Sequence, residues 1–350
     1  MPKKNKVTMY TIAEEVGMSV AAVSRAFDPG SKLRPEKRQL IFETAKRLGY
    51  VPNKLASRLS GEPMRIGVLI LSHVDAFSSE YAQGIRAAYA EYADYKITLD
   101  LRLLHASECT DEDACAVLDE FIENECEGVI VGGLCDARFL PALNRLAGAG
   151  IMLILLDSDL DGCLRSGVSM DDVETAGRMA AQLLSVAARN RDIAVFMASE
   201  DNIAQHALLG SFRAAAEKYG LNIVRMYNTK NNAQTASEQA AELLSGLPDI
   251  GGIYVSTANS APICRCIAEA GLSGKIGIVT SDVFTELNGY IRRGTVFATI
   301  YQDPASQAKA AFEALFYCLS DKTAIPEFIY ARPQAVFASN LNLYEKTIRK

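Results

Sequence analysis

The 350-residue chain has no apolar run long enough to cross a bilayer. Its best candidate, residues 150–156, is about strand length, far short of the roughly 18 residues of a span. The basic opening Met1-Pro2-Lys3-Lys4-Asn5-Lys6 has no apolar segment behind it, so export is not expected and a cytoplasmic location is. Histidine is scarce, at His73, His105 and His206 alone, and none of the 8 cysteines forms a C-x-x-C pair. That pattern argues against a zinc site and for reduced thiols acting as small buried apolar groups. There is no G-x-S-x-G, no G-x-x-x-x-G-K-[ST], and no histidine paired with a motif nucleophile. Gly132-Gly133 follow an apolar run without the remaining dinucleotide spacing. No enzyme, metal or cofactor is expected; the pattern reads as binding without chemistry.

What is present is a soluble composition, 49% apolar and 22% charged, over a length suited to two or three domains. The charge is divided. Residues 1–60 carry 12 Lys/Arg against 5 Asp/Glu, a net of +7, and the remainder carries 24 against 37, a net of −13. A basic head on an acidic body suggests that the head alone meets a polyanion.

The head reads as three short helices. Thr8 can cap a helix over 9–16, and Gly17 suits a left-handed C-terminal turn. Ser19 can cap a second helix over 20–27, which Asp28-Pro29-Gly30 stops. Two helices joined across Gly17-Met18-Ser19 form a helix-turn-helix, with Ala13 small at the crossing and Ile12, Val16, Met18 and Val23 in the shared core. A third helix from Pro35 to Leu48 places Leu40, Ile41, Ala45 and Leu48 on one face. The second helix would enter a major groove, presenting Ser19, Val20, Ala21, Ser24 and Arg25. Arg25 matches guanine O6 and N7, while Lys3, Lys4, Lys6, Lys32, Arg34 and Lys37 suit phosphates. The alternative for Arg25 is a surface ion pair with Glu14 or Glu15. Residues 53–60 have Leu55 and Leu59 at i,i+4, about two turns that need a partner to be stable. They read either as a minor-groove wedge led by Leu59 or as an ordinary linker.

Thr8-Met9-Tyr10-Thr11-Ile12-Ala13, Gly17-Met18-Ser19, Val23-Ser24-Arg25 and Leu48-Gly49-Tyr50-Val51-Pro52-Asn53 resemble the N-terminal domain of the lactose/galactose-repressor (LacI/GalR) family. The resemblance implies a homodimer on a near-palindromic operator in double-stranded DNA. Thr8, Ser19, Val20, Ala21, Ser24, Arg25 and Asn53 would lie at the DNA, and Leu59 at the intercalating position of a hinge helix. Val20 and Ala21 stand where members often carry polar base-reading side chains, and Ser57 where many have arginine.

In the acidic body, apolar runs at 66–71, 97–104, 128–131, 151–156, 193–198, 223–227, 250–255, 276–280 and 296–300 alternate with helical stretches at 80–93, 113–123, 173–188, 208–219, 236–244 and 304–319. Alternation of this kind makes right-handed βαβ units and parallel sheets. Nine strands exceed one comfortable sheet. The expected fold is therefore α/β, a small all-α head followed by two doubly wound parallel-sheet lobes. Domain bounds are expected at 1–50 for the head, 51–63 for the hinge and linker, and 64–350 for the effector and dimerisation domain. Its lobes are expected near 64–158 with 284–320, and 159–283 with 321–340. Ligands of such sheets sit at carboxyl ends of strands. Those ends carry Ser72 to Ser78, Asp157 and Asp159, Ser256-Thr257-Ala258-Asn259, Ser281-Asp282 and Tyr301-Gln302-Asp303-Pro304, a carbohydrate-like set.

The run from Ser281-Asp282 through Gly294–Pro304 is similar to ribose-type members of the type I periplasmic binding proteins and to the repressor family's effector domain. That similarity implies Asp75, Phe77, Asp157, Asp282 and Gln302 as contacts for a sugar or polyol. His206 is nearest the place of a usual arginine, and Ser256-Thr257 stand where Asn-Asp is common. The expected function is a DNA-binding transcriptional regulator, a repressor, controlled by a small carbohydrate-like effector. The rivals are a solute-binding protein without a regulatory role and a sugar-converting enzyme with a DNA-binding head.

Overall fold

A computed structural model describes residues 8–27, 33–48, 63–72, 75–134, 136–198 and 203–348. The chain divides into compact units at Pro63 and Met64. In the first unit, helices α1 (Met9–Val16), α2 (Val20–Ala26) and α3 (Pro35–Leu48) follow the expected order. Thr8 and Thr11 cap each other's backbone N–H at the start of α1, at 3.4 and 3.2 Å. Gly17 ends it at φ +62°, where a side chain would be strained, and Met18 N–H donates to the Ala13 carbonyl at 3.0 Å. Ser19 Oγ accepts from Ala22 N–H at 3.2 Å and starts α2. Ile12, Ala13, Val23, Ala26, Ile41 and Ala45 form a buried core, with Val16, Met18 and Leu48 packed against it.

Two expectations for this unit are corrected. Leu40 points outward at 46% exposure, because Ile41, Thr44 and Ala45 take the inner stripe of α3. Val20 is half-buried against the core rather than presented outward, one turn before Val23 on the same helix face.

The second unit holds two six-stranded sheets. Its elements run β1 (Met64–Ser72), α4 (Asp75–Glu91), β2 (Ile97–His105), α5 (Asp111–Glu123), β3 (Gly128–Gly132), α6 (Leu140–Gly148), β4 (Met152–Leu156) and β5 (Gly167–Asp171). Then come α7 (Val173–Ala187), β6 (Asp192–Met197), α8 (Ile203–Lys218), β7 (Asn222–Asn228), α9 (Ala233–Gly246), β8 (Gly252–Ser256), α10 (Ser260–Glu269) and β9 (Gly277–Ser281). The chain ends with α11 (Thr285–Arg292), β10 (Ala298–Tyr301), α12 (Pro304–Asp321), β11 (Phe328–Ala331), β12 (Gln334–Val336) and α13 (Leu341–Ile348). The strand orders are β11-β5-β4-β3-β1-β2 and β12-β10-β9-β8-β6-β7, the same topology twice. Pairing is parallel except between β10 and β12. Strands β3, β4, β8 and β9 are almost wholly buried because helices cover both faces.

The lobe bounds differ from expectation. Strand β5 stays with the first sheet, in register Ile154↔Gly167 with β4, and β11 returns to pair with β5. Helix α11 packs in the second sheet's core, and β10 is a strand of that sheet. The chain therefore changes sheets three times, near 172, 302 and 332. Of the cysteines, Cys126 and Cys264 are buried, while Cys109, Cys115, Cys163, Cys266 and Cys318 are only half-buried; all seven are free thiols. Burial pushes Cys264 up to about 12. Cys135, Asn53 and Leu59 lie outside the described residues.

Candidate functional site

Two sheets with the same strand order, parallel but for β12, present the carboxyl ends of their parallel strands to one cleft of about 740 Å³. From the first sheet come Ser72 ending β1, Gly133 after β3, Asp157 and Ser158 after β4, and Asp171 ending β5. From the second come Ser256 ending β8 with Thr257 to Asn259 after it, Ser281 ending β9 with Asp282 after it, and Gln302 after β10. Helix α4 adds Phe77 and Tyr81, and α8 adds Gln205 and Leu208. The Phe77 ring meets the edge of Phe284 at 5.7 Å between centroids and closes one side.

Asp157 and Asp282 occupy equivalent places in the repeated topology, each following the fourth strand of its sheet. Both have left-handed backbones, at φ +80° and +66°. Both donate their N–H to the neighbouring strand, Asp157 to Ser169 O and Asp282 to Ile300 O, each at 2.7 Å. A positive φ at a non-glycine residue costs about 1 kcal/mol or more and persists where its surroundings enforce it. Here two strand ladders do so, at two carboxylates that line the cleft.

Polar groups around these carboxylates are organised. Tyr81 donates its hydroxyl to Asp157 Oδ1 at 3.0 Å. Gln205 donates to Ser256 Oγ at 2.8 Å and accepts from Ala198 N–H at 3.4 Å. Next to the cleft, Tyr301 donates a short hydrogen bond to Glu80, joining β10 of the second sheet to α4 beside the first. Burial raises the pKa of Asp157, with the Tyr81 hydrogen bond pulling the other way. Burial and then the Asp157 charge push Asp171 up to about 7. Burial and then the Asp171 charge push Asp282 well above the carboxylate range. Burial raises Glu80 to about 7 against the Tyr301 hydrogen bond.

These shifts have a consequence for stability. Asp171 titrates near 7 when folded and near 3.8 otherwise, so the folded chain holds the extra proton between those values. Its contribution is most favourable below about pH 4 and is lost as pH rises through about 7. Asp171→Asn should therefore gain about 1–4 kcal/mol over the wild type at pH near 8, and almost nothing at pH near 4. Denaturant titration at the two pH values measures the difference.

The family model described as "Periplasmic binding protein domain" matches residues 66–323. The chain belongs to this family. The periplasmic binding protein domain is the part that carries the whole cleft. The chain is also similar to "Catabolite control protein A" of Priestia megaterium, 31% identical over 125 residues, which span 35% of this chain and 36% of that protein. It is 25% identical to "HTH-type transcriptional regulator DegA" of Bacillus subtilis over 246 residues, 68% of this chain and 70% of that protein. Among solved structures, the "periplasmic ribose ABC transporter" of Conexibacter woesei matches with a TM-score of 0.74 at 17% identity. That match covers 82% of this chain and 96% of the other, and it establishes a shared fold.

Within this periplasmic-binding-protein cleft, the structure brings together Phe77, Asp157, Ser256, Asp282 and Gln302 of the residues expected from sequence. It does not bring Asp75 or His206, and both expectations are corrected. Asp75 lies in the first turn of α4 rather than in a strand-end loop; its side chain is 90% exposed and 3.8 Å from His105 Nε2. His206 is exposed on α8, where the neighbouring Gln205 takes the inward position. Tyr81, Asp171, Gln205 and Asn231 were not foreseen. Tyr81 and Gln205 are helix residues away from strand ends, and Asp171 ends a five-residue strand whose Ser169 and Asp171 hide the apolar signal. Among the described residues, no histidine, cysteine, lysine or arginine lines the cleft, and no three metal-binding side chains converge.

Proposed function

We propose that the protein is a cytoplasmic, homodimeric transcriptional regulator, a repressor of the LacI/GalR type, whose affinity for a near-palindromic operator responds to a carbohydrate-like effector in the cleft. The observation that carries this reading is the first unit. It is a basic three-helix module with reciprocal capping at Thr8, a glycine turn at Gly17 and a serine cap at Ser19, preceding a periplasmic binding protein domain. The similarity to two proteins named as a catabolite control protein and an HTH-type regulator supports it. Ser19, Ala21, Ser24 and Arg25 are exposed on and before α2, and Thr8 is exposed at the start of α1, as groove and backbone contacts require. Glu15 pairs with Arg47 at 2.7 Å, and Arg25 Nε donates to Ala21 O within its own helix. That arrangement supports leaving the Arg25 guanidinium to a guanine edge. Val20 would contribute through the core behind the recognition helix, and Asn53 and Leu59 through the hinge segment.

The cleft supports the effector half of the reading. Amides, hydroxyls and carboxylates at strand ends, with Phe77 and Tyr81 beside them, suit a hydroxylated ring. Coupling between cleft and operator requires that the ligand bind two lobe arrangements with different affinity, a free energy of about 1–3 kcal/mol. The second reading, a solute-binding protein without a regulatory role, is favoured by the cleft and fold alone and leaves the basic head without a task. Selective retention of a DNA fragment decides between them, and Arg25→Ala tests the assigned contact. On a fragment that the wild type retains selectively, the variant should bind about 5–150-fold more weakly and lose discrimination at one base pair. Unchanged affinity and specificity in a gel-shift titration would remove Arg25 from the interface.

A further inference from the structure

Among the described residues, the cleft contains buried acid without a matching base. Asp171 is 3% exposed and Asp282 is 8% exposed, and both line the cavity. Each leaves one carboxylate oxygen, Asp171 Oδ2 and Asp282 Oδ1, buried and without a hydrogen-bond partner. A third acid, Asp157, stands beside them with Tyr81 as its donor. The other described lining residues are neutral. Buried carboxylates are ordinarily paired or hydrogen-bonded, because an uncompensated one carries its full desolvation cost. Here the like charges raise one another further, as the upward shifts of Asp171 and Asp282 indicate. A positive charge with several donors would offset that cost and draw both groups into their ionised form. A metal ion does not answer, since no three ligating side chains converge among the described residues. The acids come from both sheets, Asp157 and Asp171 from the first and Asp282 from the second, so the partner must be large enough to reach across. The rest of the lining, with Asn231, Ser256, Gln302 and the Phe77 ring, suits hydroxyls on a compact frame.

We infer that the cleft takes a hydroxylated ligand carrying a protonated amine, an amino sugar or amino polyol, in preference to the neutral sugar of the same shape. This rests on the reading of the cleft as an effector site and names the class of effector. An ammonium offers three N–H donors and a full charge that favours the ionised form of Asp171 and Asp282, which burial otherwise disfavours. A neutral hydroxyl brings no charge, so burial still disfavours the ionised form of these carboxyls.

The test compares matched pairs on the full chain, by thermal shift and titration calorimetry at neutral pH. The probes are D-glucosamine with D-glucose, D-galactosamine with D-galactose, and 1-amino-1-deoxy-D-sorbitol with D-sorbitol. In at least one pair the amine should bind ten-fold or more tightly than its hydroxyl parent. Asp171→Asn and Asp282→Asn should each reduce that preference to about three-fold or less. Circular dichroism and the unliganded melting temperature check that the variants remain folded. If the neutral member of a pair binds as well as the amine or better, the inference is overturned and the carbohydrate reading survives. If no member of any pair binds at tens of millimolar, both are contradicted. An amine preference that persists in both variants would place the charge recognition elsewhere and overturn the assignment to these acids.

Discussion

Ile12→Asp should leave the protein unable to retain DNA while its larger unit melts as in the wild type. Ile12 is fully buried between α1, α2 and α3, in a core of six buried residues among the described ones. A core this small has little stability to lose, because domains of a few dozen residues bury too little apolar surface. Removing the isoleucine forfeits about 1.5–3 kcal/mol of burial, and a carboxylate in its place adds a desolvation cost of several kcal/mol more. The sum exceeds what such a unit holds. The two sheets of the second unit have cores of their own, built from other residues. Calorimetry should therefore show the main transition unmoved, and a gel shift should show retention gone. Loss of both would mean that the two units share their stability.

The second large effect is expected at Gly133→Ala. Gly133 follows β3 at the cleft floor with φ +82°, a conformation costing an L side chain about 1–2 kcal/mol. A Cβ there would also stand 1.8 Å from the Leu71 carbonyl oxygen, which is backbone of the adjacent β1 and cannot turn aside. Relief requires separating β1 from the segment after β3, and overpacking of this kind costs about 1–3 kcal/mol. A loss of about 2–5 kcal/mol follows, large against the 5–15 kcal/mol of a typical domain. Urea denaturation followed by fluorescence of the 14 tyrosines would measure it. Wild-type stability in the variant would show that the β1–β3 edge yields more easily than its geometry allows.

How far these features can be read from residues alone depends on how strongly each is signalled. Strands such as β3, β4 and β6 announce themselves as short apolar runs, and nine of the observed strands coincide with such runs. Strand β5 does not, because Gly-Val-Ser-Met-Asp buries Ser169 and Asp171 by pairing on both edges rather than by hydrophobicity. Its omission moved the expected lobe bounds, since the sheet to which a strand belongs is a long-range fact that no local pattern encodes. The same holds for β11 and β12, three to four residues each, which reach opposite sheets within one short segment. In the site, residues at strand ends were legible because the fold class aims them at the cleft. Gln205 and Tyr81 were not, because helical phase decides which residue faces inward. A shift of one residue separated His206 from Gln205. The head was nearly transparent, because its caps and turn are local; only Leu40 and Val20 were placed on the wrong side, where the packing of a neighbouring helix decides.

The central claim is that a basic three-helix reader selects a DNA sequence under control of the cleft. The most direct measurement incubates the purified full chain with fragmented genomic DNA and excess bulk competitor, at several salt concentrations, with and without a ligand that raises its melting temperature. The account predicts that a few fragments are retained, and that their affinity falls about 10³–10⁵-fold between 50 and 200 mM salt as neutralised phosphates recover their counterions. The ligand should shift that affinity by about 5–150-fold. Retention of no fragment over competitor, or retention that neither salt nor ligand alters, would contradict it.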